Sequence, residues 1–132
     1  MPIDKLDIRV IMESGNSIIE KRGETMAREK FKTLTEQMFY ILLCLCEECR
    51  GMDILEMVRR QTDGRVTIGS GTLYDLLELF VKEEVIRETQ ADGRRRSYII
   101  TEKGRQMLEK EYQRLRQQTA DFDRIYRKGG QS

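Results

Sequence analysis

The feature that most constrains the fold is a change of period near residue 85. Before it, Leu73, Leu76, Leu77, Phe80 and Val81 recur at i, i+3, i+4, i+7 and i+8, one stripe of a helix from Gly71 to Glu84. After it, VIRETQ (85–90) and RRSYII (95–100) read as short strands. In the first, Ile86 and Glu88 alternate with Arg87 and Thr89. In the second, Tyr98 and Ile100 share a face opposite Ser97 and Ile99. Between them lies ADGR (91–94), and Asp92-Gly93 is a strong hairpin signal because type I′ turns need positive φ. A helix that runs straight into a hairpin leaves few architectures open.

The rest of the chain is helical in pattern. Residues 35–49 read as a first helix, capped by Thr35 or by Thr33 with Glu36. Its centre, MFYILLCLC, is apolar all round, which predicts burial on every side or a place between the domain and a partner subunit. Gly51 marks a turn, and a shorter helix follows over 53–62 with Ile54, Met57 and Val58 on one stripe. The glycine-rich connector 63–71 offers Ser70 as N-cap of the third helix. A last helix starts at Thr101 and runs to Arg127. Along it Leu108, Tyr112, Leu115, Thr119, Phe122 and Tyr126 are spaced 4, 3, 4, 3, 4, a heptad seam better suited to a partner helix than to a globular core. Residues 1–32 form an N-terminal extension. Leu6, Ile8, Val10 and Met12 alternate as in a strand, while Ile3, Leu6 and Val10 also fit a helix.

Charge and chemistry exclude more than they assert. The 24 basic and 23 acidic residues leave a net charge of +1, so nucleic-acid binding has to rest on a local patch. Such a patch exists: residues 86–105 carry six basic and three acidic side chains, a net of +3. The chain has no histidine, hence no Ser–His or Cys–His pair, and no phosphate-binding Gly-x-x-x-x-Gly-Lys loop, so no enzyme and no cofactor are expected. Cys44 and Cys46 point about 160° apart on a helix and do not converge with Cys49 on a metal. The three read as buried reduced thiols, with a redox sensor as the alternative. Carboxylates read as solvated surface groups. The longest apolar run, Met38–Cys46, is nine residues, too short for a bilayer, and no export signal is evident, which predicts a cytoplasmic protein.

Three helices, a hairpin and a final helix are the plan of a winged helix-turn-helix, mainly α with a small β-hairpin, here with a long C-terminal dimerisation helix. The expected division is an extension over 1–32, a DNA-binding head over 33–101 and a dimerisation helix over 102–128. In that plan the third helix enters the major groove and the hairpin reaches the flanking backbone or minor groove. Ser70, Gly71 and Thr72 would place backbone N–H groups and hydroxyls at a phosphate. Arg94, Arg95 and Arg96 would neutralise phosphates or insert into a minor groove. Leu108, Tyr112, Leu115, Phe122 and Tyr126 would pack a homodimer, which presents two recognition helices to a pseudo-palindromic site, with folding back on their own domain or lining a ligand pocket as the alternatives.

Three segments also carry a resemblance. Gly71-Thr72-Leu73-Tyr74 opens the third helix, Gly93-Arg94-Arg95-Arg96-Ser97-Tyr98 spans the hairpin, and Ile100-Thr101-Glu102-Lys103-Gly104 leads into the last helix. In this order they resemble the PadR family of bacterial transcriptional regulators, over residues 33–126, in its shorter form with a single C-terminal helix. The resemblance implies a dimeric repressor of double-stranded DNA, a DNA-facing phenol at Tyr74, and a small-molecule effector pocket between subunits. Met38, Phe39, Phe122 and Tyr126 are candidate lining residues, with core packing as the alternative. With no tryptophan in the chain, a Trp-stacking drug site is excluded.

The chain departs from the family pattern at three places. Arg50-Gly51-Met52 stands where His-Gly-Tyr is frequent. Glu84 stands where a glycine usually precedes the pair ending the recognition helix. Asp75 and Glu78 stand where basic residues are common. Acidic groups near phosphates cost affinity, though Asp and Glu can accept from cytosine N4. These two residues motivate the alternative, a winged-helix protein-interaction module without DNA binding.

Overall fold

A computed structural model of the chain describes residues 33–92 and 95–128; the N-terminal extension lies outside the described residues. The elements are α1 (Glu36–Cys44), β1 (Cys49–Arg50), α2 (Gly51–Gln61), α3 (Ser70–Lys82), β2 (Ile86–Asp92), β3 (Arg95–Ile100) and α4 (Glu102–Phe122), which continues as a π-helical turn over Asp123–Arg127. This is a winged helix-turn-helix, as the order of elements predicts.

Thr35 caps α1 by accepting from the Met38 N–H, but the helix stops at Cys44 and not at Cys49. The reason is competition for backbone groups. The Leu45 carbonyl accepts from the Ile100 N–H at 2.8 Å, and the Cys46 carbonyl accepts from Arg105 at 3.1 Å. The chain then turns into β1, a strand the sequence pattern does not reveal. Cys49 pairs with Tyr98 and Arg50 with Ser97, so the sheet has three strands in the order β1-β3-β2. As the central strand, β3 buries Ser97 as well as Tyr98 and Ile100, breaking the expected alternation.

Two helix starts also differ from expectation. α2 begins at Gly51, two residues before Asp53. α3 is capped by Gly69, without a side-chain hydrogen bond, and Ser70 is its first helical residue and not its N-cap. Within α3, Leu73, Leu77 and Phe80 are buried while Val81, the last of the expected stripe, is exposed. α1 is not buried all round either, since Leu43 faces solvent.

The core is one cluster to which every helix contributes, including Ile41, Leu42, Ile54, Val58, Leu73, Leu77, Phe80, Val85, Ile86 and Leu108. Leu108, the first residue of the expected seam, therefore packs into the core of its own head. The head extends past residue 101 into the first turns of α4.

In the wing, β2 and β3 pair from Ile86↔Ile100 to Asp92↔Arg95, with an irregularity between Glu88 and Gln90. Thr89, the bulged residue, donates to Glu48 at 2.6 Å. Gly93 and Arg94 fall between the last pair, one residue further on than the Asp-Gly turn expected, and they lie outside the described residues.

Where the wing rejoins the head, the Thr101 hydroxyl caps α4 by accepting from the Gly104 N–H and lies within hydrogen-bond distance of the Glu84 and Val85 carbonyls. A Cβ on Gly104 would sit 2.3 Å from the Val85 carbonyl oxygen and 2.6 Å from Ile100 Cγ1. Glu84, just before this junction, has φ of 62°, in the left-handed region.

Candidate nucleic-acid interface

The exposed side of α3, the N-terminus of α2 and the wing meet at a small cleft lined by Arg50, Gly51, Met52, Tyr74 and Arg96. Gly51 is buried beside this cleft, where a Cβ would make ordinary contacts at 3.4 Å with Leu77, Tyr74 and Tyr98 side-chain atoms. Tyr98 is 5% exposed, and its burial pushes its phenol pKa up, so it acts as a packed strut between wing and α2. Tyr74, by contrast, is 47% exposed. Sequence reasoning found Tyr74 and Arg96 but missed Arg50 and Met52. The signal was present, since Arg50-Gly51-Met52 departs from the family pattern, but the strand that brings Arg50 beside Ser97 was not legible.

Ser70, Gly71 and Thr72 are all exposed at the N-terminus of α3, where helix N–H groups lack intrahelical partners. Arg95 and Arg96 are exposed on β3; Arg94 lies outside the described residues. Arg96 is 3.5 Å from Glu88 and Arg50 is 3.3 Å from Asp53, both at the surface. Exposed pairs of this kind contribute little, so either guanidinium can turn to another anion at small cost. Asp75 and Glu78 lie exposed on the same helix.

The C-terminal candidates divide. Tyr112, Phe122, Ile125 and Tyr126 are large apolar or aromatic side chains left exposed, at 47%, 53%, 65% and 66%. Leu115 is half-buried. Phe122 and Tyr126 stack on each other with centroids 4.8 Å apart and planes at 19°. Of the four candidate effector-pocket residues, Met38 is buried in the core and Phe39 packs against it, while Phe122 and Tyr126 are outside that cluster.

One carboxylate contradicts the expectation of solvated surface groups. Glu111 is buried at 3% exposure. Its carboxylate accepts from the Leu34 N–H at 3.2 Å and from both Arg114 Nε and a terminal Arg114 nitrogen. The Arg114 hydrogen bonds, helped by Leu34, hold its carboxyl below the usual range despite burial.

The cysteines are free thiols. Burial pushes Cys44 up to about 11 and also raises Cys49, opposite to the lowered pKa of a reactive thiol.

No helix among the described residues is long and apolar enough to cross a membrane. Comparison with known proteins agrees with the fold. A transcriptional regulator from Clostridium thermocellum is similar at TM-score 0.59 and 20% identity, over 76% of this chain and 94% of that one. Two hsRosR structures, the S1 and S4 complexes, are similar at TM-scores of 0.53 and 0.55. They share 22% and 23% identity, over 74% and 73% of this chain and 80% of each of theirs. No curated protein matches the chain. Residues 41–110, from α1 through the wing and into α4, match the transcriptional regulator PadR-like family, and the chain belongs to that family.

Proposed function

We propose that the chain is a DNA-binding repressor that acts as a homodimer in the cytoplasm. The observation that carries this reading is the convergence of Tyr74 from the recognition helix, Arg96 from the wing and Arg50 at the start of α2 on one cleft. Such a surface tracks a DNA backbone, with helix N-termini and guanidinium groups on phosphates. Ser70, Gly71 and Thr72 bring the N-terminus of α3 to the phosphate at the groove edge. Arg94, Arg95 and Arg96 clamp the flanking backbone.

The seam of exposed Tyr112, Phe122 and Tyr126 with half-buried Leu115 supports dimerisation, because an exposed apolar row on a helix marks an interaction surface. Leu108 is spent on the head's own core, so the interface begins one heptad position later. A two-fold dimer sets the spacing of two half-sites. Any effector is held between subunits, since Met38 and Phe39 belong to the head's core and Phe122 and Tyr126 do not. It would act through unequal affinity for two dimer arrangements.

Fluorescence anisotropy against DNA from upstream of the protein's own gene, with a scrambled duplex as control, tests this. Tighter binding to the native duplex is expected. Asp75 and Glu78 favour a second reading, a protein-interaction module. That reading predicts no duplex in a genome-wide selection and a salt-independent protein partner.

A further inference from the structure

The solvent-facing stripe of α3 carries two carboxylates, Asp75 and Glu78, with Lys82 one turn beyond Glu78. At 100° per residue, Asp75 and Glu78 lie within about 50° of the direction opposite the buried Leu73, Leu77 and Phe80. Both side chains are exposed, and no ion pair or side-chain hydrogen bond joins either of them to another described residue. In the DNA-binding reading this stripe faces the base edges of the major groove.

The chemistry of that groove narrows what a carboxylate can meet. An ionised carboxylate only accepts hydrogen bonds. Guanine presents two acceptors, N7 and O6. Adenine presents a donor beside the N7 acceptor, and thymine an acceptor and a methyl group. Cytosine alone presents a donor, N4–H, without an acceptor on its own major-groove edge. A carboxylate therefore gains a bond at cytosine and loses hydration, or is repelled, at the other bases. The cost near phosphates is offset by Arg50, the N-cap of α2, and Arg96 on the wing, which line one cleft with Tyr74 of the same helix α3.

We propose that Asp75 and Glu78 are specificity-determining residues that accept from cytosine N4 groups in each operator half-site. Three residues of helix rise about 4.5 Å, and base pairs are about 3.4 Å apart, so the two carboxylates address neighbouring base pairs. This inference rests on the DNA-binding reading.

The test is selection from a randomised duplex library by the wild-type chain and by Asp75→Asn and Glu78→Gln. Both side chains are exposed, so the variants keep the fold, which circular dichroism checks. The wild type is expected to select cytosines at neighbouring positions. Each amide, which pairs with adenine N6 and N7, is expected to move one of these positions from cytosine to adenine. Replacing one selected C·G pair by T·A is expected to cost the wild type roughly fivefold to a hundredfold in affinity. The matching variant loses that discrimination. A wild-type consensus without those cytosines, or variants that select the wild-type sequence with a uniform gain in affinity, overturns the inference alone. Absence of any selected duplex overturns it together with the DNA-binding reading.

Discussion

At Gly104 the fold leaves no room for one more carbon. An added Cβ would lie 2.3 Å from the Val85 carbonyl oxygen, which is backbone and cannot swing away. Gly104→Ala is expected to cost about 1–3 kcal/mol or more, measured as a lower urea midpoint. Twenty residues earlier Glu84 shows the converse. Its φ of 62° is a strained setting for a side chain, and no strain for glycine. Glu84→Gly is expected to raise stability by up to about 1 kcal/mol, and an unchanged or lower midpoint contradicts the account. Both residues were visible in the sequence as a motif kept and a motif broken. Their reason was not, because it lies in a contact between the end of α3 and the start of α4.

At the scale of elements, α1 and α4 are clasped at both ends. Arg105 donates to the Cys46 carbonyl beyond the C-terminal end of α1, and Glu111 accepts from the Leu34 N–H before its start. Leu108 fills the space between with apolar contact. Removing the carboxylate orphans a buried N–H, so Glu111→Ala is expected to cost about 1–3 kcal/mol. The pH dependence has a definite sign. The folded-state pKa of Glu111 is depressed, so its contribution is complete above the ordinary value of 4.5 and is lost as pH falls through the folded value. Glu111→Gln is expected to flatten that acid limb; an acid limb as steep as the wild type's contradicts it. The helices and the hairpin were legible because their periods, 3.6 and 2, differ. The two-residue β1 was not, because Cys49 and Arg50 have no period of their own and are strand only by pairing with β3. Glu111 was also illegible, since one carboxylate among many on a polar helix carries no mark of burial.

For the whole molecule, the proposed function gives the head and the outer part of α4 separate work. The head holds its own core, while Tyr112, Phe122 and Tyr126 stay outside it. Leu115→Asp combined with Tyr126→Asp is expected to halve the mass seen by sedimentation and to leave the head folded. The double variant is also expected to bind the operator far more weakly, since one head must hold alone. The heptad spacing was legible in the sequence. It could not announce that Leu108 is taken by the head, because the same apolar residue serves either purpose. The central claim concerns the basic wing beside α3. The direct measurement is the slope of log affinity for the selected duplex against log salt concentration, for the wild type and for a variant with Arg94, Arg95 and Arg96 all replaced by alanine. The account predicts a steep fall for the wild type and, for the variant, a slope shallower by about 0.9 for each phosphate it no longer neutralises. Equal affinity and equal slope for the two proteins would contradict it.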